Sequence, residues 1–519
     1  MVRKRKSKKL NILFLLKNLI YYLVIVLVFF GIFIKKNFNN VSFEQLLFTL
    51  SNPEGGNFDI VYKGIFFVLG FASLVFLIFF LINYFIRKER LSAIIRINVK
   101  GKRIFKFDLF KETYFRQIII FCVIVFIGLS IPSNMVGMKT YVKAQKANTE
   151  FFEEYYVDPS KTAVTFEEKK NLIYIYVESL ETSSFSIENG GQFEESYIPN
   201  LEKIALDNIS FSHNSKLGGF TQLNNTGWTM AALVAQTSGI PFKVNVAGND
   251  YNPEKSLPGA YNIGQVLEDN GYKNYFMMGS DGDFGGRKKY FVQHGNYQIF
   301  DYYYAIDDGF IDSNYFVWWG YEDRKLFSYA QEKLLEISKN DEPFNFTMLT
   351  VDTHFVDGYV DDSCDLKFDN AYANAFYCSD SKIYNFVEWI KQQDFYENTT
   401  IVIVGDHLTM QEGFYPNNDT NSRYVYNAFI NSSVDTNDTK NREFSHFDIY
   451  PTTLAAMGAK IDGNKLGLGV NLFSNEKTLV EKLGFDKVNE SILGKSKYYN
   501  EYILGEIIEE NESISSEDE

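Results

Sequence analysis

The run Thr399-Thr400-Ile401-Val402-Ile403-Val404-Gly405-Asp406-His407 sets a carboxylate and an imidazole directly after a stretch of β-branched apolar residues. Such a stretch predicts a buried, parallel-type strand, with Gly405 letting the backbone turn so that Asp406 and His407 both reach the crevice at its carboxyl end. Adjacent Asp and His in that position suit a hard or borderline divalent cation, Mn²⁺, Mg²⁺ or Zn²⁺. A second strand signal over 171–177 ends on Glu178, and a third over 344–351 delivers Asp352 and His354. Ligands of open α/β sheets bind at strand carboxyl ends, which makes Glu178 a candidate metal ligand, with an exposed loop carboxylate as the alternative. His354, one of 5 histidines, is a candidate by position, a structural histidine being the other reading.

A nucleophile is the remaining requirement. Thr226-Gly227-Trp228-Thr229 leads into small and apolar residues that predict a helix ending at Ser238-Gly239-Ile240-Pro241. A helix start offers unsatisfied N–H groups and the positive end of the helix dipole, which favour a bound phosphate and an alkoxide on Thr226 or Thr229. Helix capping is the simpler role for either hydroxyl. The Gly- and Asp-rich loop over 280–290 closes on Arg287, Lys288 and Lys289, cations suited to a phosphate or glycan or to a solvated turn. His446 and Asp448 precede another helix and either line the site or, for Asp448, cap it.

The strands that carry these groups alternate with helical patterns over 197–207, 262–269, 324–339 and 372–392, which predicts an α/β domain with a largely parallel sheet. Upstream, the chain has a different character. Apolar stretches over 11–34, 59–86 and 117–132 each approach or exceed the roughly 20 residues that span a bilayer, so three transmembrane helices are expected. The first is long and lacks a small-residue cleavage pattern, so it reads as an anchor and not a cleaved leader. Basic residues crowd positions 3–9 and 87–116, while the loop over 37–58 is slightly acidic. By the positive-inside rule the basic segments are cytoplasmic, and everything after about residue 138 faces outward. Membrane flanks account for the basic runs without nucleic acid. The net charge of −14 averages this basic anchor with an acidic exterior, whose end over 506–519 reads as a solvated, disordered tail. Of 3 cysteines, Cys122 falls in an apolar span, and Cys364 and Cys378 fall in the outward domain, where their spacing permits a disulfide. The expected organisation is an anchor over 1–138, a linker helix over 139–170, a catalytic domain over 171–475 and an extension over 476–519.

Taken in order, Val177-Glu178-Ser179-Leu180-Glu181, Thr226-Gly227-Trp228-Thr229, Ser238-Gly239-Ile240-Pro241, Asp352-Thr353-His354 and Gly405-Asp406-His407, after membrane spans, resemble the phosphoglycerol transferases of the alkaline phosphatase and sulfatase superfamily. The resemblance covers about 171–458 and is strongest to the branch that modifies periplasmic glucans, with lipoteichoic acid synthases more distant. It implies a three-layer α/β/α domain on a helical membrane anchor, in the bacterial cytoplasmic membrane with the catalytic domain outside. It further implies that Glu178, Thr226, Asp406 and His407 ligate one cation, chiefly Mn²⁺, and that Thr226, by a count back from Gly239, is the nucleophile. Arg287 matches a cation that holds the glycerol phosphate and His354 a substrate-contacting, catalytic histidine that stabilises or shuttles protons, and Asp352, Trp228 and His446 are expected beside them. The implied reaction moves phosphoglycerol from phosphatidylglycerol to a glycan through a glycerophospho-threonine, releasing diacylglycerol into the bilayer. Met278 and Gly285 stand where lipoteichoic acid synthases have histidine and tryptophan, which favours the glucan-modifying branch. No Cys-x-Pro-x-Arg or Ser-x-Pro-x-Arg sulfatase pattern occurs. A phosphoethanolamine transferase of the same fold and an inactive membrane sensor or scaffold are the alternatives.

Overall fold

The structure, a computed structural model, describes residues 2–38, 42–51, 58–87, 94–99, 102–108, 114–243, 255–411 and 413–505. The acidic tail over 506–519 lies outside the described residues. The chain divides into two compact units, Met1–Phe43 with Asn57–Thr140, and Glu44–Gly56 with Tyr141–Glu519.

In the first unit, helices Val2–Asn37, Phe58–Arg87 and Tyr114–Met135 contain the three expected apolar spans. The portions Ile12–Asn37, Val61–Ile86 and Ile118–Met135 are long and apolar enough to cross a membrane. The described part of the basic segment between the second and third is a hairpin, Ile94–Val99 paired antiparallel with Lys102–Asp108.

The second unit is built on a six-stranded sheet. Its order is Gln298–Phe300, Lys273–Met278, Phe344–Leu349, Asn171–Val177, Thr399–Gly405 and Asn427–Ile430. All neighbours are parallel except the last pair, in which the edge strand Asn427–Ile430 runs antiparallel. Alternation along the central strand divides the core into two layers. Leu172, Tyr174 and Tyr176 pack with Val234 of helix Thr229–Ser238, Val266 of Ile263–Asp269 and Leu454 of His446–Ala456. Ile173, Ile175 and Val177 pack with Leu201 of Pro199–Asp207, Leu326 of Asp323–Ile337 and Phe376 of Ala371–Ile390. Helices thus cover both faces of the sheet, and Asn171–Val177, Phe344–Leu349 and Thr399–Gly405 are buried along their whole length, which is why they read as largely apolar runs. Each such buried aliphatic side chain contributes about 1.5–3 kcal/mol.

Three organisational expectations change. Residues 139–170 do not form one linker helix: the helix Met138–Lys146 is followed by a single turn, Phe151–Tyr155, and then by strand Val164–Phe166, which pairs with Ala459–Ile461. Phe151 and Phe152 are buried in the core, so this segment is pinned by its own apolar residues. The extension beyond 475 is not separate either. Tyr499 and Ile503 enter the same apolar cluster as Leu172, the Tyr499 hydroxyl donates to the Pro241 carbonyl at 2.6 Å, and Asn489 Oδ1 accepts from Asn224 N at 2.6 Å. Finally, part of the loop between the first two spans belongs to the catalytic unit. Helix Phe43–Ser51 places Phe48 against Phe242, ring centroids 5.2 Å apart. Cys364 and Cys378 are bonded, their Cα atoms 5.5 Å apart.

Candidate active site

Strands Asn171–Val177 and Thr399–Gly405 run side by side with Val177 opposite Gly405, so Glu178 and Asp406 leave the sheet as neighbours. Gly405 serves a purpose other than the turn expected of it. A Cβ there would stand 1.9 Å from the Leu180 carbonyl oxygen, so glycine is needed for close approach. Ser179 turns the first chain away at φ 57°. Its N–H donates to Asp406 Oδ1 at 2.7 Å, and so does that of His407, also at 2.7 Å. Both donors hold one carboxylate oxygen, and Asp406 Oδ2 is left buried without a partner. His407 Nδ1 bonds the Leu408 carbonyl at 2.8 Å, which puts the ring proton there and leaves a bare lone pair on Nε2. That Nε2 lies 3.4 Å from both Glu178 Oε1 and Asp406 Oδ2.

One donor atom from each of Glu178, Asp406 and His407 falls within 4.8 Å of the others, and all three residues are buried. Two buried atoms, Asp406 Oδ2 and His407 Nε2, lack hydrogen-bond partners, an arrangement that is costly unless something positive takes their lone pairs. An O, O, N set of this kind fits a divalent cation. Electrostatics agree: burial, then the charge of Glu178, pushes Asp406 up to about 8.

The ligand-bearing strand ends are held from outside. Thr353 Oγ1 donates to the Glu178 carbonyl at 2.5 Å, and Thr350 Oγ1 accepts from Glu178 N at 3.1 Å. Gln236 Nε2 donates to the Asp406 carbonyl at 3.2 Å, which His446 Nε2 reaches at 2.8 Å. None of the three polar residues Thr350, Thr353 and Gln236 stood out in the sequence, because each looks like ordinary strand-end or helix polarity.

The two threonines part company. Helix Thr229–Ser238 is capped by Trp228 without a side-chain hydrogen bond, so neither threonine is the cap. Thr229 occupies the first helical position, is half-buried, and donates to Glu178 Oε2 at 3.2 Å. Thr226 is fully buried, and its hydroxyl closes its own turn, donating to the Leu223 carbonyl at 2.8 Å and accepting from Leu223 N at 3.1 Å. The Thr229 hydroxyl thus bonds a carboxylate of the cluster, while the Thr226 hydroxyl bonds Leu223.

Arg287 is buried and held by Phe284 O at 2.9 Å, Ser280 Oγ at 3.1 Å and Asp281 O at 2.8 Å through Nε and Nη2. Its Nη1 has no partner among the described residues. Burial lowers its pKa to about 10, with Asp281 and Glu178 opposing, so it stays a cation at neutral pH. His354 Nδ1 lies against the Phe355 carbonyl, and its ring packs 4.7 Å from Trp319. Burial lowers its pKa and the charge of Glu178 partly offsets this, so the ring is neutral with Nε2 open to a proton. Trp319 also packs 5.7 Å from Phe284, over which the Arg287 guanidinium lies. Trp319 was not anticipated; only the Trp318-Trp319 pair hints at it.

Three expected substrate contacts have other work. Asp352 is fully buried, accepts from Asp323 N at 3.1 Å and pairs with Lys382 at 2.8 Å. Lys382 also pairs with Asp361 at 2.5 Å, so a single cation holds the loop carrying His354 to helix Ala371–Ile390. Lys382→Met is expected to destabilise the protein by about 3–5 kcal/mol, because it strands buried carboxylates; a melting temperature within a degree or two of wild type would overturn this account. His446 is neutral, burial pushing its pKa down to about 3, and it serves the Asp406 carbonyl rather than a substrate. Trp228 is buried against Phe242, ring centroids 6.2 Å apart. Asp448 takes the milder role and completes a capping box with Ser445.

A buried O, O, N cluster beside a helix-start hydroxyl, at the carboxyl ends of a parallel sheet in a three-layer domain, defines a class. Residues 170–459, more than half of the chain, match the sulfatase family model, and the chain belongs to that family. Within it, the chain is 35% identical over 269 residues to phosphoglycerol transferase I of Escherichia fergusonii, covering 50% of this chain and 33% of that protein. The phosphoglycerol transferase I of Escherichia coli K12 is 34% identical over the same shares. The matched region thus spans about a third of the curated relatives, at 33% of their length. Similar solved structures include the lipoteichoic acid synthase LtaP of Listeria monocytogenes, at 16% identity and TM-score 0.47 over 60% of this chain and 79% of that one.

Proposed function

We propose that this protein is a metal-dependent transferase, anchored by several helices in the bacterial cytoplasmic membrane with its catalytic unit outside, that moves phosphoglycerol from phosphatidylglycerol to a glycan and releases diacylglycerol. The observation that carries this reading is the Thr229 hydroxyl at a helix start, bonded to Glu178 within the Glu178, Asp406 and His407 cluster. Similarity to phosphoglycerol transferase I supports the choice of group transferred.

Glu178, Asp406 and His407, with the Thr229 hydroxyl beside them, are the groups that would hold a divalent cation, Mn²⁺ in first place and Mg²⁺ or Zn²⁺ otherwise; when bound it acidifies the hydroxyl and offsets phosphate charge. Thr229 Oγ1 attacks phosphorus, the bond from phosphorus to the diacylglycerol oxygen breaks, and the threonine proton ends on that oxygen. The phosphate of the resulting glycerophospho-threonine lies at the amino end of helix Thr229–Ser238, where first-turn N–H groups lack intrahelical partners. Arg287 presents Nη1 to the phosphate oxygens. An acceptor hydroxyl then attacks phosphorus, the bond to Thr229 breaks, and the acceptor's proton returns to Thr229, with neutral His354 placed to relay it through Nε2.

The test is to incubate the detergent-purified protein with phosphatidylglycerol and Mn²⁺. Diacylglycerol release and a glycerophosphate adduct on the peptide containing Thr229 are expected. An adduct formed only from phosphatidylethanolamine would assign the rival headgroup, and no adduct from either lipid would leave a binding protein. Arg287→Lys is expected to raise KM for the lipid roughly tenfold, the loss of one charge-assisted hydrogen bond of about 1.5 kcal/mol. An unchanged KM would remove Arg287 from the phosphate site.

A further inference from the structure

The loop between the first two apolar spans does more than join them. Residues Glu44–Gly56 belong to the catalytic unit, and helix Phe43–Ser51 sets Gln45 and Phe48, three apart, on one face. Glu44, Leu46 and Phe48 are all buried, so the helix is packed into that unit. Burial lowers the Lys243 ammonium to about 8, and the charge of Glu44 offsets part of this, an attraction that ties the helix to the segment following Pro241.

What sets Phe48 apart is the identity of its neighbours. A Cβ on Gly285 would lie 3.8 Å from Phe48 Cε1 and 3.9 Å from Met230 Cβ, ordinary contact distances, so the ring stands where these two segments converge. Met230 directly follows Thr229, and Gly285 comes two residues before Arg287. The Phe48 ring also meets Phe242 edge-on, 88° between planes, and Phe242 in turn meets Trp228, the residue that caps helix Thr229–Ser238. From the same face Gln45 Nε2 donates to Met410 Sδ at 3.4 Å, three residues beyond His407. One short helix thus touches the segment carrying the hydroxyl, the segment carrying the phosphate cation and the segment carrying two groups of the cluster.

A buried ring needs only apolar neighbours, and any wall of the core would supply them. Here the ring acts as a spacer. Gly285 has a φ of 66°, which favours glycine, and it brings no side chain of its own to the contact with Met230. The chemistry requires Arg287 Nη1 and Thr229 Oγ1 to reach one phosphodiester together, and a displacement of about 1 Å costs on the order of 10²-fold in rate.

We propose that Phe48 is a positioning residue of the active site, holding the Arg287 segment and the Thr229 segment at the separation at which both engage one phosphodiester. The loop between two membrane spans is then part of the enzyme and not only of its anchor. The inference rests on the transferase reading for the reaction served, but not for the binding of a phosphate ester.

The full-length, detergent-purified protein with Mn²⁺ is assayed for adduct formation on Thr229 from phosphatidylglycerol and is titrated calorimetrically with glycerol 1-phosphate. Wild type, Phe48→Ala and Phe48→Leu are compared, with melting temperature and Mn²⁺ content measured for each. Phe48→Ala is expected to weaken glycerol 1-phosphate binding and to raise KM for the lipid, each by about tenfold or more, while Phe48→Leu, which keeps most of the bulk, stays within about threefold of wild type. Mn²⁺ content is expected to be the same in all three. If Phe48→Ala does not fold, Phe48→Val carries the comparison, with losses of about fivefold or more expected. A folded variant that lacks the ring yet keeps wild-type binding and KM would overturn the proposal, because a merely structural ring lowers only the melting temperature. Loss of Mn²⁺ in step with the loss of binding, or a loss in Phe48→Leu as large as in Phe48→Ala, would overturn it as well. Adduct formation indifferent to Phe48 sinks the positioning role and spares the transferase. Glycerol 1-phosphate binding that depends on Phe48, without any adduct from phosphatidylglycerol, sinks the donor reading and spares the positioning role. Neither binding nor adduct in wild type sinks both.

Discussion

Thr229→Ala is expected to lower transfer by a factor on the order of 10⁴ or more and to abolish the covalent adduct, since the loss of a nucleophile removes the whole two-step route. Thr226→Ala is expected to keep the adduct and to lose stability, by about 1–3 kcal/mol, because it leaves a buried Leu223 N–H unsatisfied. The contrast matters more than either result alone. Both hydroxyls flank the same Gly227-Trp228 pair, but only Thr229 reaches Glu178 Oε2, at 3.2 Å. Peptide mass spectrometry of the trapped intermediate decides between them. A glycerophosphate mapped to residue 226, still present in Thr229→Ala, would sink the assignment and show that the turn at Leu223 opens in the working enzyme.

Asp406→Ala is expected to have the second largest effect. Asp406 Oδ1 cross-links two chain segments through Ser179 N and His407 N, while Oδ2 is left for a cation. The variant should bind less than a tenth of an equivalent of Mn²⁺ by elemental analysis, where wild type binds one, and its transfer should fall by a factor on the order of 10³. Chelation of the wild type should remove activity reversibly, and returning Mn²⁺ at 100 times its Kd should stabilise it by about 2.7 kcal/mol. Metal content in Asp406→Ala equal to wild type, or a melting temperature indifferent to Mn²⁺, would refute the cluster as the cation site.

Much of this was legible in the chain before any coordinates. The central strands announced themselves because a sheet covered on both faces buries every residue, so Leu172 through Val177 and Ile401 through Val404 read as continuous apolar runs. Glu178, Asp406 and His407 followed from that, since Glu178 and Asp406 are the first polar residues past buried strands and His407 comes directly after Asp406. The helix Thr229–Ser238 was also legible, but the choice of threonine was not: the count back from Gly239 follows the family pattern, whereas the bond to Glu178 Oε2 is made by Thr229. The partner of Asp352, Lys382, was not legible either. Strand Phe344–Leu349 ends before Asp352, and in the turn that comes after, Asp352 and His354 take different surroundings. The edge strands Gln298–Phe300 and Asn427–Ile430 are too short to carry a period. Helix Phe43–Ser51 was hidden by its place between two longer apolar stretches.

The Tyr499 and Ile503 contacts bear on how the catalytic unit is made. Leu172 and Tyr174 belong to the same apolar cluster as these residues near the other end of the unit, so that layer of the core is not closed until the last packed segment exists. Contacts this distant in sequence are slow to form, and a chain that ends before Tyr499 leaves the Phe152 ring and the Pro241 carbonyl without that partner. The unit therefore matures only after its synthesis is nearly complete, and a ribosome stalled before residue 499 yields a product whose sheet is covered but whose Phe152 and Pro241 lack their last partner, a substrate for proteolysis rather than an enzyme of reduced activity.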